Sequence, residues 1–497
     1  MKKARTTLAW TESLIFEQGS EGRNGLGWRD QDVVDKPTEE EIRKTLGRDF
    51  REPIDGLPEV TEPEVVRHYT RLSQQNLGID TAFYPLGSCT MKYNPKVNET
   101  CASRPVWAST HPYSDVLSIQ PMLALMDRLE RMLGELSGMD AVSLQPAAGA
   151  QGELAGIMCI EAYHRHKGNH RDEILIPDSA HGTNPSTCAM AGYRVKEVPT
   201  GPHGHLEAET VAQYVDGKTA GIMMTNPNTL GIFEREIDRI AAVLHRVDAQ
   251  VYMDGANLNA LMGLVRPGEI GVDVMHFNLH KTFSTPHGGG GPGAGPIGVK
   301  AHLEPFLPIP RVRKHLDGHY FLSSDSPLSI GRVKAFYGNF GVALRAYAYL
   351  VANGIEGLRK VTRDAILNAN YIKARLADRY HLPYKEPCFH EVVFTDKNQK
   401  KHHVEARHMA KALLDAGFHA PTIYFPLVVH GALMIEPTES ETLETLDAFI
   451  EVMRQIADDA EKAPETLKGE TTQTFVTNVD ETGAARKPVL RWKPGGA

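Results

Sequence analysis

The run Val251-Tyr-Met-Asp-Gly-Ala-Asn-Leu-Asn-Ala260 is followed by Val272-Asp-Val-Met-His-Phe-Asn-Leu-His-Lys-Thr-Phe-Ser-Thr-Pro-His-Gly-Gly-Gly-Gly-Pro-Gly293. Two apolar stretches, each of strand length, end in polar clusters. The first delivers Asp254 and the second delivers His280 and Lys281. Taken singly, these features are ordinary. Asp-Gly after a strand is usually a turn, a lysine after a strand is usually solvated, and the run Gly288 to Gly291 alone reads as a flexible loop. Together they are specific. Asp254 lies 27 residues before a lysine that is itself followed by a glycine-rich loop. A lysine that binds an aldehyde covalently and a carboxylate that keeps a pyridine nitrogen protonated are the pair a pyridoxal 5'-phosphate enzyme requires.

Working outward, the same pattern recurs upstream. Gln145-Pro-Ala-Ala-Gly-Ala-Gln-Gly-Glu153 links an apolar strand to an apolar helix. Bare N–H groups and the helix dipole make such a start an anion site. Ala148, Gly149 and Ala150 lack bulk, so a phosphate can approach the backbone; tight helix packing is the alternative use of the same residues. Asp178-Ser-Ala-His-Gly-Thr-Asn-Pro185 follows another short strand and offers His181 to stack on the ring and Thr183 to bond its oxygen or the phosphate. His280 is placed to touch the phosphate, and Asn257 follows Asp254 on the same turn. Strands alternating with helices imply a mainly parallel sheet. Ligands bind at the carboxyl edge of such sheets, where all these clusters fall. The fold class expected is therefore α/β.

The chain has 497 residues, 41% hydrophobic and 23% charged, with a net charge of −8. Length implies two or three domains. The boundaries expected are an N-terminal arm over 1–110, a large cofactor-binding domain over 111–335, a small α+β domain over 336–463 and a tail over 464–497. The charge gives no basic patch for nucleic acid, and no apolar run approaches membrane-spanning length. The N-terminus lacks the apolar stretch of a signal peptide. Five widely spaced cysteines argue for free thiols, and with them for a cytoplasmic protein. No zinc-ligand pattern appears, so no metal is expected.

In the arm, recurring prolines and glycines leave two helical stretches, Glu39 to Leu46 and Glu64 to Leu77. Its segment Phe83-Tyr-Pro-Leu-Gly-Ser-Cys-Thr-Met-Lys-Tyr-Asn-Pro95 reads equally as a surface turn or as a loop closing on a site. Pro121 opens an amphipathic helix that Gly138 caps. In the C-terminal region, helices are expected over Gly331 to Leu350, Ile355 to Tyr380, His408 to Gly417 and Thr442 to Ala460. Strands are expected at Glu391-Val-Val-Phe394, Leu427-Val-Val429 and Leu433-Met-Ile-Glu436.

Five motifs carry a resemblance: Tyr84 to Pro95, Gln145 to Glu153, Asp178 to Pro185, Met253 to Ala260 and Leu279 to Gly293. The chain resembles the catalytic half of the glycine decarboxylase P-protein, in the form split into two subunits, over about 57–460. The resemblance implies a fold-type-I pyridoxal phosphate architecture that decarboxylates glycine. It implies transfer of the aminomethyl group to the lipoyl arm of H-protein. It also implies a homologous partner, subunit 1, that lacks the lysine, in an α2β2 assembly. Lys281, Asp254 and His181 would be the catalytic residues. The glycine-rich loop and the Tyr84 to Pro95 loop would gate the site. Two other readings stand beside it: another enzyme of the same fold, such as an aminotransferase or aldolase-like lyase, or a non-catalytic partner subunit.

Overall fold

The computed structural model describes residues 12–23, 37–51, 56–287, 293–475 and 479–492. Backbone contacts divide the chain into two units, Met1–Gly78 with Glu470–Ala497, and Ile79–Gly469.

The larger unit is built on a seven-stranded sheet. Its strands are β1 (Ala141–Ser143), β2 (Glu173–Pro177), β3 (Arg194–Val198), β4 (Thr219–Thr225), β5 (Gln250–Asp254), β6 (Val274–His276) and β7 (Ile297–Val299). Their order is β1-β7-β6-β5-β4-β2-β3. Pairings from β3 through β6 are parallel, and β7 runs antiparallel to both β1 and β6. Side-chain alternation explains why both faces are covered. Leu175, Ile222, Met224, Val251 and Met253 enter one apolar core, while Ile174, Ile176, Met223 and Tyr252 enter another on the opposite face. The helix Gln120–Ser137 supplies Leu129 and Leu133 to the first core, and Gly138 ends it in the left-handed conformation. The helix Gly149–His166 supplies Ile157 and Ile160 to the second.

After β7 comes a hairpin that the sequence reading did not anticipate, β8 (Arg311–Lys314) with β9 (Tyr320–Ser323). The helix Phe340–Leu376 then joins two cores. Ala343, Ala346 and Leu350 pack on the large sheet. Ala369, Ile372 and Leu376 pack under a three-stranded antiparallel sheet of β10 (Val392–Thr395), β12 (Ala432–Ile435) and β11 (Thr422–Ile423). The helix Leu443–Lys462 closes that core with Phe449, Ile450 and Met453.

Two local expectations change. Residues 331–339 are not helical, and the helix begins only at Phe340. Two helices meet at Gly354, whose φ of 58° breaks the run between them, as the sequence predicts. Leu427 to Val429 is not a strand; Thr422–Ile423 pairs instead. That apolar run is short and lies between Pro426, which has no N–H to give a ladder, and left-handed Gly431. All five cysteines are free thiols. Among the described residues, no helix is long and apolar enough to cross a membrane.

In the smaller unit, Glu12 is the hub. Arg71 Nε and Nη2 donate to its two oxygens at 2.6 and 2.7 Å, and His68 Nδ1 lies 2.8 Å away. The helix Glu62–Gln74 carries both partners, and Phe16 stacks on Trp492.

Candidate active site

The carboxyl ends of β1, β4, β5 and β6 open onto one cavity of about 290 Å³. At one end the chain leaves β1 and enters the helix Gly149–His166 through extended Ala148, with no side-chain cap. The first N–H groups of that helix have no intrahelical acceptor, and the dipole points its positive end the same way. Close approach is what the glycines provide. A Cβ on Gly149 would strike Asn278 Oδ1, and one on Gly295 would strike the Ala148 carbonyl. Ala148, Gly149 and Ala150 all line the cavity.

Asp254 closes β5 and is only 3% exposed. Its Oδ1 accepts from Ala256 N at 2.9 Å and its Oδ2 from Asn184 Nδ2 at 3.1 Å. His276 Nε2 lies 3.5 Å from Oδ1, and Tyr252 and Asn278 fix that ring at 2.7 and 2.8 Å. Burial alone would favour the neutral acid, but His276, Asn184 and Lys281 outweigh it and hold Asp254 below the usual carboxylate range. The nearby Glu153 behaves oppositely. Burial, reinforced by the charge on Asp254, pushes it up to about 7. Thr183 Oγ1, Asn184 Nδ2 and Thr187 Oγ1 all donate to it. Two adjacent carboxyl groups are thus driven apart: Asp254 stays ionised and Glu153 accepts the proton.

Lys281 sits in the single turn Leu279–Thr282 that follows β6. Its Nζ donates to the carbonyl of Ser88 at 2.8 Å. The segment from Tyr84 to Pro95 therefore reaches the cavity, and Ser88 is part of its wall. His181 lines the cavity edge-on to Phe425, at 5.4 Å between ring centres. Its Nδ1 contacts Thr183 Oγ1 at 2.9 Å, and burial lowers its pKa, so it is a neutral ring. Burial also pushes His280 down to about 3, with its neighbour His287 adding to the effect. The run Gly288 to Gly291, expected as part of a gate, lies outside the described residues.

The structure thus brings Ala148, Gly149, Ala150, His181, Thr183, Asp254, Asn257, His280 and Lys281 to one cavity wall. It adds Ser88, from the loop read equally as a surface turn or as closing on a site, and groups not singled out in the sequence: Glu153, Thr225, His276, Asn278 and His287. Glu153 carried a signal, as an acidic residue one turn into the otherwise apolar helix Gly149–His166. The others sit in runs that look like core or turn.

Pyridoxal phosphate fits this wall. Thr225 Oγ1, Asn257 Oδ1, His280 Nδ1 and His287 Nε2 are buried polar atoms with no partner among the described residues. Such atoms are costly unless something else bonds them. The helix start suits the phosphate, Asp254 suits the ring nitrogen and Lys281 suits the aldehyde.

Comparison with solved structures defines the class first. A crystal structure of glycine decarboxylase (P-protein) of the glycine cleavage system superposes with a TM-score of 0.70 at 22% identity, covering 85% of this chain and 99% of that one. The Lactobacillus brevis glutamate decarboxylase gives 0.63 at 15% identity, over 84% and 97%. The fold is that of the fold-type-I pyridoxal phosphate enzymes. Family models narrow this: "Glycine cleavage system P-protein" matches 23–312 and "Glycine dehydrogenase, C-terminal domain" matches 361–478. A "Probable glycine dehydrogenase (decarboxylating) subunit 2" from Caldanaerobacter subterraneus subsp. tengcongensis is 52% identical over 481 residues, covering 97% of this chain and 98% of the relative. One of the same description from Pyrococcus horikoshii is 52% identical over 492 residues, covering 97% and 96%. The chain belongs to the glycine cleavage system P-protein family.

Proposed function

We infer that this chain is the pyridoxal phosphate-bearing subunit of a two-subunit glycine dehydrogenase (decarboxylating). It releases CO2 from glycine and passes the aminomethyl group to the lipoyl arm of H-protein. The observation that carries the reading is the juxtaposition of Lys281, ionised Asp254 and an uncapped, glycine-lined helix start in one cavity. The chemistry pyridoxal phosphate supplies is an electron sink for the bonding pair left when the glycine carboxylate departs as CO2. Asp254 holds a proton at the ring nitrogen, which keeps that sink effective. The N–H groups at Gly149 and Ala150 bind the phosphate. His181 and Thr183 confine the ring. Lys281 anchors the cofactor and moves protons at its Nζ, which the Ser88 carbonyl orients. Buried walls exclude water while the amine carbon is reactive.

The partner is a homologous subunit 1, in an α2β2 assembly. The test is exchange of labelled bicarbonate into the carboxyl group of glycine, with H-protein and the second subunit present. Exchange specific to glycine supports the reading. Transamination or retro-aldol cleavage without exchange would assign the site to another enzyme of the same fold.

A further inference from the structure

Glu391 and Glu436 flank paired strands of the small sheet. Val392 is opposite Ile435, so the two glutamates project from neighbouring strand ends. Both are fully buried. Each spends one oxygen on the backbone of the loop before Lys92. Glu391 Oε2 accepts from Ser88 N and Glu436 Oε2 accepts from Thr90 N, both at 2.9 Å. The other oxygen of each, Oε1, has no partner among the described residues. His390 Nε2 lies 3.9 and 4.0 Å from these two atoms, in a ring that is itself fully buried and unpaired at both nitrogens. One oxygen from each glutamate and a ring nitrogen of His390 lie within 4.8 Å of one another.

The loop they hold is strained. Ser88 and Thr90 sit at φ 64° and 45°, in the left-handed region that residues with a Cβ avoid. Such a conformation persists only where surrounding contacts impose it. It has a use, because the Ser88 carbonyl is the acceptor for Lys281 Nζ. Downstream the loop is pinned again, by Lys92 Nζ on Asn259, Tyr349 and Glu439.

We propose that Glu391 and Glu436 share one proton and act as a positioning clamp, holding the Ser88 carbonyl against Lys281 through the N–H groups of Ser88 and Thr90. This rests on the assignment of Lys281 made above. Two buried carboxylates this close do not both ionise in neutral solution. Burial pushes Glu436 up to about 7, and burial with repulsion from Glu436 raises Glu391 well above the ordinary carboxylate range. The cations facing them, Lys281 toward both and Lys92 toward Glu436, only moderate this. His390 is held neutral by burial, and the Cys89 thiol beside the pair is pushed up by burial. Loss of the shared proton at alkaline pH leaves two facing charges and loosens the loop.

The test uses Glu436→Gln, Glu391→Gln and Glu436→Ala in the full chain. An amide keeps an oxygen for the backbone N–H and offers its NH2 to the remaining carboxylate, as the shared proton does. With the second subunit present, wild type should decline at alkaline pH, and each Gln variant should exchange glycine within about threefold of wild type at neutral pH and should lose that decline. Glu436→Ala should cost about a hundredfold, the scale expected for a misplaced catalytic group. A second readout needs no cofactor: the melting temperature of the apo-protein across pH 5 to 8. A carboxyl whose folded pKa is raised stabilises at low pH and loses that contribution as pH rises through about 7. The melting temperature of Glu436→Gln should therefore gain on wild type across this range. A pH-independent difference, or an alkaline decline unchanged in both Gln variants, overturns the clamp. So does a stoichiometric metal ion in wild type that Glu436→Gln loses, since a cation would then satisfy the free oxygens. If wild type itself fails to exchange glycine, the functional reading fails, while the melting data still judge the titration of the glutamate pair.

Discussion

At the scale of single residues the site turns on two charges. Borohydride treatment of the cofactor-loaded protein should fix the label on the peptide containing Lys281, and Lys281→Ala should abolish it; a label on any other lysine disproves the anchor. Asp254→Asn should still bind the cofactor but lose turnover by several kcal/mol of barrier, the scale expected for a preorganised electrostatic partner. Near-normal exchange in that variant would remove its role in protonating the ring nitrogen. Both residues were legible in the sequence because each follows an apolar strand and stands beside glycine or small polar neighbours. Glu153, Asn184 and His276 were not singled out. Their importance comes from convergence: Asn184 bridges Glu153 and Asp254 with one amide group, and those three residues lie on different elements. A local pattern cannot express a contact between positions 31 and 70 residues apart.

At the scale of elements, periodicity located most helices and strands to within a few residues. The large sheet's strand ends were recovered because strand–helix alternation constrains where ligands bind. The antiparallel β7 and the β8–β9 hairpin were not, since nothing in an apolar triplet such as Ile297–Val299 states its direction. The helix Glu62–Gln74 carries its own pH dependence. Arg71 holds the Glu12 carboxyl down to about 2 against the effect of burial, with His68 and Gln18 assisting. A carboxylate with a depressed pKa stabilises above its ordinary value and loses that contribution as pH falls toward 2. Protection of this helix against hydrogen exchange should therefore fall below the ordinary carboxylate range, and Glu12→Gln should be less protected already at neutral pH, with a flatter acid dependence. Identical acid profiles in the two proteins would refute the linkage.

At the scale of the whole molecule, the smaller unit has little core of its own. The helix Glu39–Leu46 buries no residue, and Glu62–Gln74 buries only His68 and Arg71. Leu46, Leu57, Val66 and Tyr69 remain exposed. Ordering each residue costs roughly 1–2 kcal/mol of backbone entropy, so such a segment gains from a surface to lie on. The isolated chain should bind pyridoxal phosphate yet exchange glycine weakly, and adding the homologous subunit 1 should restore exchange. Light scattering during the titration should show a heterotetramer forming as activity rises. Full activity in the chain alone, unchanged by subunit 1, would remove the two-subunit reading.

The bond from Thr90 N to Glu436 spans 346 residues of chain. During synthesis the loop that touches Lys281 leaves the ribosome long before the strand that secures it. At about 5–20 residues per second, that interval is roughly 17 to 70 seconds. Throughout it Phe83, Tyr84 and Leu86 have no sheet to join, because Leu86 bridges to Ile435 and Phe83 packs among residues from Ala369 onward. The cofactor pocket is therefore completed late in synthesis: its phosphate end can form midway through translation, but its lysine side waits for the last fifth of the chain.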